Sequence, residues 1–307
     1  VILGVTVLIF TIMYFAPGDP AQTILGSNAT QEELNELRET LGLNKPYLTR
    51  LLTYLGDVFL RFDLGKSYLT SASVSQEIFS RFPRSLSISF VSMIITLAAG
   101  IPLGVIAATH RNKLGDRVAM LFSLVGVSMP IFWLGMMLVM TFSVNLGWLP
   151  ALGMGDLSNG LGDFISHMIL PCFCLATIPT ATFARITRSS MLEVVNNDSI
   201  KSLRARGIKE SVVIWKHALK NALPPIVTVL GLQLAQAFTG AILTESIFSW
   251  PGMGTMIVSA IDNRDYQLIQ GTVLFIAVVF VVVNLLVDVV YMLINPRVSY
   301  ESGKGGN

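Results

Sequence analysis

Charge is what this sequence of 307 residues lacks. Charged residues make up 13% of it and hydrophobic residues 52%, where soluble domains carry about 25% charged residues. The shortage excludes an ordinary soluble domain. Cysteine is almost missing as well. Cys172 and Cys174 lie inside an apolar run, too close for a relaxed disulfide and without other soft ligands nearby, so they read as small apolar fillers. Histidine occurs three times, as His110, His167 and His217, in separate loops or span ends. No H-E-x-x-H zinc motif, metal cluster or nucleophile triad can be assembled from them in sequence, which disfavours an integral membrane enzyme. LGKS (64–67) resembles the end of a phosphate-binding loop, but the pattern needs glycine where Leu60 stands.

Apolar runs are what the chain has in excess. Six of them read as transmembrane helices, at 1–16, about 85–108, 116–145, 164–184, 222–245 and 270–294. Stretches of about 18 or more residues with almost no charge suit the hydrocarbon core of a bilayer. The first is short and starts at residue 1, so preceding residues are expected. A cleaved signal peptide is the rival reading of that stretch, but no A-x-A pattern follows it. APGDPA (16–21) follows instead, and proline there removes an N–H and fixes φ, ending the helix.

Lysine and arginine orient the spans, because short cytoplasmic loops carry the excess. Residues 109–117 hold three, 185–220 hold eight and 295–307 hold two, whereas 146–163 hold none and 246–269 hold one. Six spans then leave both termini and the basic stretch in the cytoplasm. Residues 17–84 become an extracytoplasmic insert, long enough to cross regardless of charge. TQEELNELRETLGL (30–43) predicts a helix there, with a capping box at Thr30 and Glu33 and a stop at Gly42. PYLTRLLTYLGDVFLRFDLG (46–65) predicts a second, amphipathic helix lying against the membrane or the bundle. The organisation expected is a first span (1–16), the insert (17–84), a core (85–294) and a cytoplasmic tail (295–307).

Polar side chains inside spans are costly and therefore candidate sites. Glu245, Gln233 and Gln236 belong to the fifth span, Asn284 and Asp288 to the sixth. They either line a polar pathway or hydrogen-bond between helices, the second reading being favoured for Asn284 and Asp288. Pro130, with Gly126 and Gly135, allows a bend in the third span. Between the fourth and fifth spans, Arg204, Arg206, Lys209, Lys216 and Lys220 accompany an apolar stripe of Ile208, Val212, Trp215 and Leu219 at steps of 4, 3 and 4. NNDSIKSLRARG (196–207) ends at Gly207, a helix restarts after it, and Pro224 and Pro225 mark where the next span begins. A short helix with one basic and one apolar side suits a groove on a cytoplasmic partner or an anionic lipid surface.

The same stretch resembles the E-A-A-x-x-x-G loop of bacterial ABC-importer permeases. Lys201, Ser202 and Leu203 stand at its first positions and Gly207 at its glycine. It is closer to the D-Y-I-R-T-A-R-A-K-G and H-A-L-R-N-A-L-P forms of the peptide/nickel subfamily, matched by Asp198 through Gly207 and by HALKNALPP (217–225). APGDPA (16–21), LGLNKP (41–46), SMPIFWLGMMLVM (128–140), RITRSSMLEV (185–194), ILTESIFSWPGMG (242–254), RDYQLIQG (264–271) and NLLVDVVYMLINPRV (284–298) look like the same subfamily. The resemblance covers nearly the whole chain and is nearest to the first, B-type permease of dipeptide and oligopeptide importers. A nickel or metal-chelate permease shares these motifs, and a membrane receptor or scaffold is the rival of another class.

The resemblance implies an all-α integral membrane protein of the bacterial inner membrane, with a coupling helix in the 185–221 loop. It implies no cofactor on this chain, ATP and Mg²⁺ being held by two cytoplasmic ATPase subunits. Its other partners would be a second homologous permease, an extracytoplasmic binding protein and membrane lipid, with no nucleic acid. Gly207 would fix the turn of the coupling helix, with Asp198, Arg204, Ala205 and Arg206 on its contact side. Ile208, Val212 and Trp215 would pack it. A Gly207→Asp chain is then expected to insert without driving substrate-dependent ATP hydrolysis. SWPGMG (249–254) looks like a re-entrant turn in which Pro251, Gly252 and Gly254 permit a tight reversal. Phe248 and Trp250 would anchor that turn at the interface. Gating or binding-protein docking is its functional reading, loop closure the plain one.

Overall fold

A computed structural model describes residues 1–26 and 28–294; the side chains of residues 157, 235–240, 288 and 290–294 are outside that description. The side chains of Gln236 and Asp288 and the whole 295–307 tail therefore lie outside that description.

Local sequence chemistry sets the first elements. α1 (Ile2–Phe15) stops at Ala16, ahead of Pro17. The Asp19 carboxylate caps α2 (Pro20–Leu25) by accepting from the Ala21 N–H, and Pro20 takes the first helical position. α3 (Gln31–Thr40) opens on the expected capping box, the Thr30 N–H donating to Glu33 at 2.8 Å. α4 (Tyr47–Leu60) buries Leu51, Tyr54 and Val58 on one face. α5 (Val74–Thr109) is followed by α6 (Leu114–Ser128) and α7 (Ile131–Leu138), which continues as wider π turns over Val139–Asn145. Then come α8 (Leu161–Val195), α9 (Asp198–Ala205) and α10 (Glu210–Val212). A second π stretch, Val213–Ala218, joins α10 to α11 (Leu219–Ile247), and α12 (Met253–Asp262) and α13 (Tyr266–Ile294) complete the order. No strand forms among the described residues; Lys66 and Ser73 make an isolated antiparallel bridge.

Three helices are long and apolar enough to cross a membrane among the described residues, namely α5, α8 and α13 as far as Val287. A fourth is gained if α6 and α7 with its π extension count as one, but that pair is bent by 104°. The predicted 116–145 span is thus not a single rod. Pro130 forces the break, because its ring pushes the preceding residue out of helical geometry, and Met129 is extended at φ −80, ψ 128. α1 is apolar but only 14 residues long, so the described residues do not themselves supply six spans. Pro224 and Pro225 do not interrupt the helix: both lie inside α11.

The chain divides into two compact units, one of Val1–Leu86 with Ser249–Val281, the other of Ser87–Phe248 with the chain from Val282. The first has one apolar cluster around Phe10, Tyr54, Val58 and Leu274 and another around Val74, Ile78, Met253 and Met256. Phe10 and Tyr54 stack at 5.4 Å between ring centres. The core of the second joins α5, α8, α9 and α11 through Val105, Met191, Ile200, Val213 and Ala218. There α5 and α8 approach closely: a Cβ on Gly104 would lie 2.6 Å from the Ala184 carbonyl oxygen. Small residues let helix backbones meet at that range.

Candidate functional site

The hairpin between α8 and α11 gathers most of the residues singled out in sequence. α9 is the short separate helix, and it precedes Gly207 rather than following it. Gly207 takes φ +76. Its N–H donates to the Arg204 carbonyl at 2.9 Å, and the Ile208 N–H donates to the Leu203 carbonyl at 3.3 Å. This double closure is the Schellman arrangement, which needs a left-handed residue just past the helix. A Cβ at Gly207 would meet nothing within 4 Å. Glycine is required there by backbone handedness and by no neighbour.

One residue pins α9. Ile200 is 1% exposed and packs into the cluster of Val105, Met191, Val194 and Val213, with Leu203 and Ile208 at its edge. Full burial of an isoleucine is worth about 1.5–3 kcal/mol. The opposite side of α9 is open: Lys201, Ser202, Ala205, Arg206 and Gly207 are exposed. Asp198 is exposed and bound to Lys201 at 2.9 Å, which holds its carboxyl below the usual carboxylate range.

Arg204 is half-buried, and its guanidinium is engaged within the chain. Its Nε and Nη2 donate to the two Glu210 oxygens at 3.1 and 2.8 Å, and its Nη1 donates to the Val195 carbonyl at 3.3 Å. The fork braces the Gly207 turn from both sides and caps the last turn of α8. Hydrogen bonding to Arg204 lowers the Glu210 pKa and raises that of Arg204.

Of the expected apolar stripe, Ile208 and Leu219 pack at the edge of the cluster around Ile200. Val212 and Trp215 are 37% and 46% exposed, while Val213, Ile214, Ala218 and Ala222 are buried. The reason is the π stretch Val213–Ala218, whose wider turn inserts a residue and rotates the buried face. Near the same end of α8, Arg188 forks onto Asp116 through Nε at 2.6 Å and Nη2 at 2.8 Å, and the Asn112 N–H donates to the same carboxylate at 2.9 Å. Sequence reading missed this pair. Its only signal was a lone acid in a basic loop, 72 residues from its partner.

The pathway and gating candidates fall in both units. Pro130 is exposed at the α6–α7 break, and Gln233 is half-buried on α11. Glu245, fully buried, follows Gln233 at a helical distance of about 18 Å at 1.5 Å per residue. Phe248 and Trp250 are 1% and 0% exposed, so neither is an interface anchor. In the second unit Phe248 packs with Leu138, Leu170 and Cys174. In the first, the Trp250 indole N–H donates to the Arg84 carbonyl at 3.1 Å and the Met253 N–H to Ser85 Oγ at 2.8 Å. Pro251, Gly252 and Gly254 do not reverse the chain through left-handed glycine; the left-handed residue is Ser249, at φ +49.

Residues 100–300 match the family described as the binding-protein-dependent transport system inner membrane component, and residues 1–89 match the N-terminal part of such membrane components. Among curated relatives, the dipeptide transport system permease protein DppB of Alkalihalophilus pseudofirmus is 43% identical, over 98% of this chain and 96% of its own. The di/tripeptide transport system permease protein DppB of Pseudomonas aeruginosa is 40% identical, over 97% and 95%. The glutathione transport system permease protein GsiC of Salmonella typhi is 40% identical, over 98% and 95%. Among solved structures, an inward-facing conformation of the MetNI methionine ABC transporter superposes with a TM-score of 0.58 at 16% identity, covering 71% of this chain and 95% of that one. An amino acid ABC transporter gives 0.51 at 17% identity, covering 73% and 95%. At such identities the structures speak to the fold alone.

Proposed function

The chain belongs to the family of binding-protein-dependent transport system inner membrane components, and from that premise we propose that it is the permease subunit of an ATP-driven importer of di- and oligopeptides, supplying half of the translocation pathway. The observation that carries the cargo class is identity of 40–43% over 97–98% of the chain to permeases named for dipeptides, di/tripeptides and glutathione. Glutathione is itself a tripeptide, so the three names share one chemistry.

In this reading the chain crosses the inner membrane six times, through α1, α5, the bent α6–α7 pair, α8, α11 and α13. Both termini and α9 face the cytoplasm, in keeping with eight basic residues in 185–220. A second permease completes the pathway, a binding protein delivers the peptide from outside, and two ATPase subunits hold ATP and Mg²⁺. The chain itself binds no cofactor. α9 is the coupling helix: Ala205, Arg206 and Gly207 offer an exposed tip, while Ile200 ties that tip to the ends of α5, α8 and α11. Movement of the ATPases is thereby handed to three helices at once. Alternating access is a shift in population, so ATP must bind one state of the assembly more tightly than the other.

The test is uptake of a labelled dipeptide, a labelled pentapeptide and nickel-63 by cells lacking this gene. They are complemented with the wild-type chain or with Gly207→Val, whose β-branched side chain resists the left-handed region more than aspartate does. Peptide uptake restored by the wild type alone is the expected outcome. Restoration of nickel uptake alone would refute the cargo, and peptide uptake undiminished in Gly207→Val would refute the coupling role.

A further inference from the structure

The first unit holds a polar pocket of about 200 Å³ that the transport reading leaves without a task. One face of α4 builds its wall, because Arg50, Tyr54 and Asp57 follow at steps of four and three; Lys45, Tyr68 and Gln270 help to close it.

Two of these side chains are buried, and the polar atom of one of them is covered without a partner. Tyr54 is 7% exposed, and its hydroxyl has no hydrogen-bond partner among the described residues. Gln270, 6% exposed near the start of α13, makes no side-chain hydrogen bond among the described residues either. Buried hydroxyls and amides are almost always paired, because leaving them dry is costly. On this lining the Tyr54 hydroxyl and the Gln270 amide are both left untaken by other protein groups, which leaves them for a ligand.

The third feature is a guanidinium without an anion. Arg50 is half-buried, and its carbon Cζ lies 5.3 Å from the centre of the Tyr14 ring. Its one hydrogen bond among the described residues is a long contact of 3.4 Å to the Leu43 carbonyl. The nearby acid is taken, since Asp57 binds Arg61 at 2.8 Å. Lys45, exposed at the mouth, adds a second cation. Burial raises the Tyr68 phenol pKa while the Arg50 charge opposes that rise, which places the cation within reach of this ring.

A forked cation matches a carboxylate bidentately. A buried amide and a phenol on the same lining match the polar atoms that follow a carboxylate in an amino acid or peptide. We propose that this pocket binds the carboxylate end of a small ligand, either a free amino acid or the C-terminal residue of a short peptide. The inference needs the pocket alone and stands apart from the transport reading.

The experiment is equilibrium dialysis on the whole transporter in lipid nanodiscs, without ATP or binding protein. The probes are labelled L-alanine and L-alanyl-L-alanine, and the competitors are L-alanyl-L-alanine amide and inorganic phosphate. Saturable binding of one or both probes is expected, and which of them binds tells the free amino acid from the peptide terminus. The amide should compete at least about ten-fold less well than the acid, as for a hydrogen-bonded charge lost from a partly buried site. Arg50→Lys, which keeps the charge but not the fork, and Gln270→Met should each weaken binding by about ten-fold. Tyr54→Phe should weaken it by about three-fold or more. Tyr54→Phe and Gln270→Met should melt no lower than wild type, since each removes a polar group that has no partner. Binding of neither probe, equal competition by amide and acid, displacement by phosphate alone, or unchanged affinity in all three variants would overturn the proposal. Loss of peptide uptake by the wild type bears on the transport reading and leaves this result untouched.

Discussion

The turn at Gly207 and the turn at Ser249–Gly252 are held in different ways. At Gly207 the backbone is left-handed, the missing Cβ faces empty space, and the neighbouring Ala205 and Arg206 are exposed. At the second turn the glycine is extended, Gly252 lying at φ −100 and ψ −165, and a fully buried tryptophan holds the loop to the Arg84 carbonyl. One turn is set by a left-handed glycine and leaves its surface exposed. The other is fixed by side-chain packing and leaves no aromatic surface to offer. Glycine and tryptophan near a reversal are therefore poor guides to exposure until it is known which of them holds the turn.

Four substitutions would break or sharpen that contrast. Trp250→Ala removes the indole and its hydrogen bond and should cost about 3–5 kcal/mol, read as a lower melting temperature of the purified protein. A near-wild-type melt would mean that packing does not hold this turn. Ile200→Ala should cost about 2–4 kcal/mol while leaving the exposed tip chemically intact. Its expected signature is normal insertion with substrate-stimulated ATPase activity lost from the assembled transporter; full stimulation would deny Ile200 its anchoring role. Gly207→Val should cost about 1–2 kcal/mol, the strain of a left-handed residue with a Cβ. With no neighbour to clash, Gly207→Asn should recover most of it, and equal melts for the two variants would contradict a backbone origin.

The smallest effect is electrostatic. Arg204 depresses the Glu210 pKa, so the pair stabilises the hairpin fully above the unfolded carboxyl value of about 4.3. That contribution fades as pH falls through the lower folded value. Both groups are largely solvated, which limits it to under about 1 kcal/mol. Melting of wild type and Glu210→Gln between neutral pH and pH 3 should therefore differ slightly near neutrality and converge in acid. A gap that widens in acid would give the brace the wrong sign.

What could be read from sequence was the chemistry confined to a few neighbouring residues. The Thr30–Glu33 capping box, the stop at Ala16 and the Gly207 turn each depend on contacts within about one helical turn, and each is present. What escaped depends on phase or on distance. The π stretch at Val213–Ala218 shifts the buried face, and no periodicity announces an inserted residue. The Asp116–Arg188 fork and the Trp250–Arg84 hydrogen bond each join residues far apart in the chain. The bend at Pro130 was permitted by its residues, but the 104° angle depends on what each arm packs against.

The three ion pairs of the basic loop also set its outward charge. Of eight lysines and arginines in 185–220, Arg188, Lys201 and Arg204 are neutralised by Asp116, Asp198 and Glu210. Five cations remain without a carboxylate among the described residues. Exposed Glu193 offsets one of them, so attraction of this face to an anionic bilayer or protein should weaken with ionic strength as four net charges would. Most of that pull should be gone once the screening length of about 8 Å at physiological salt has shrunk below the separation from the anions it faces.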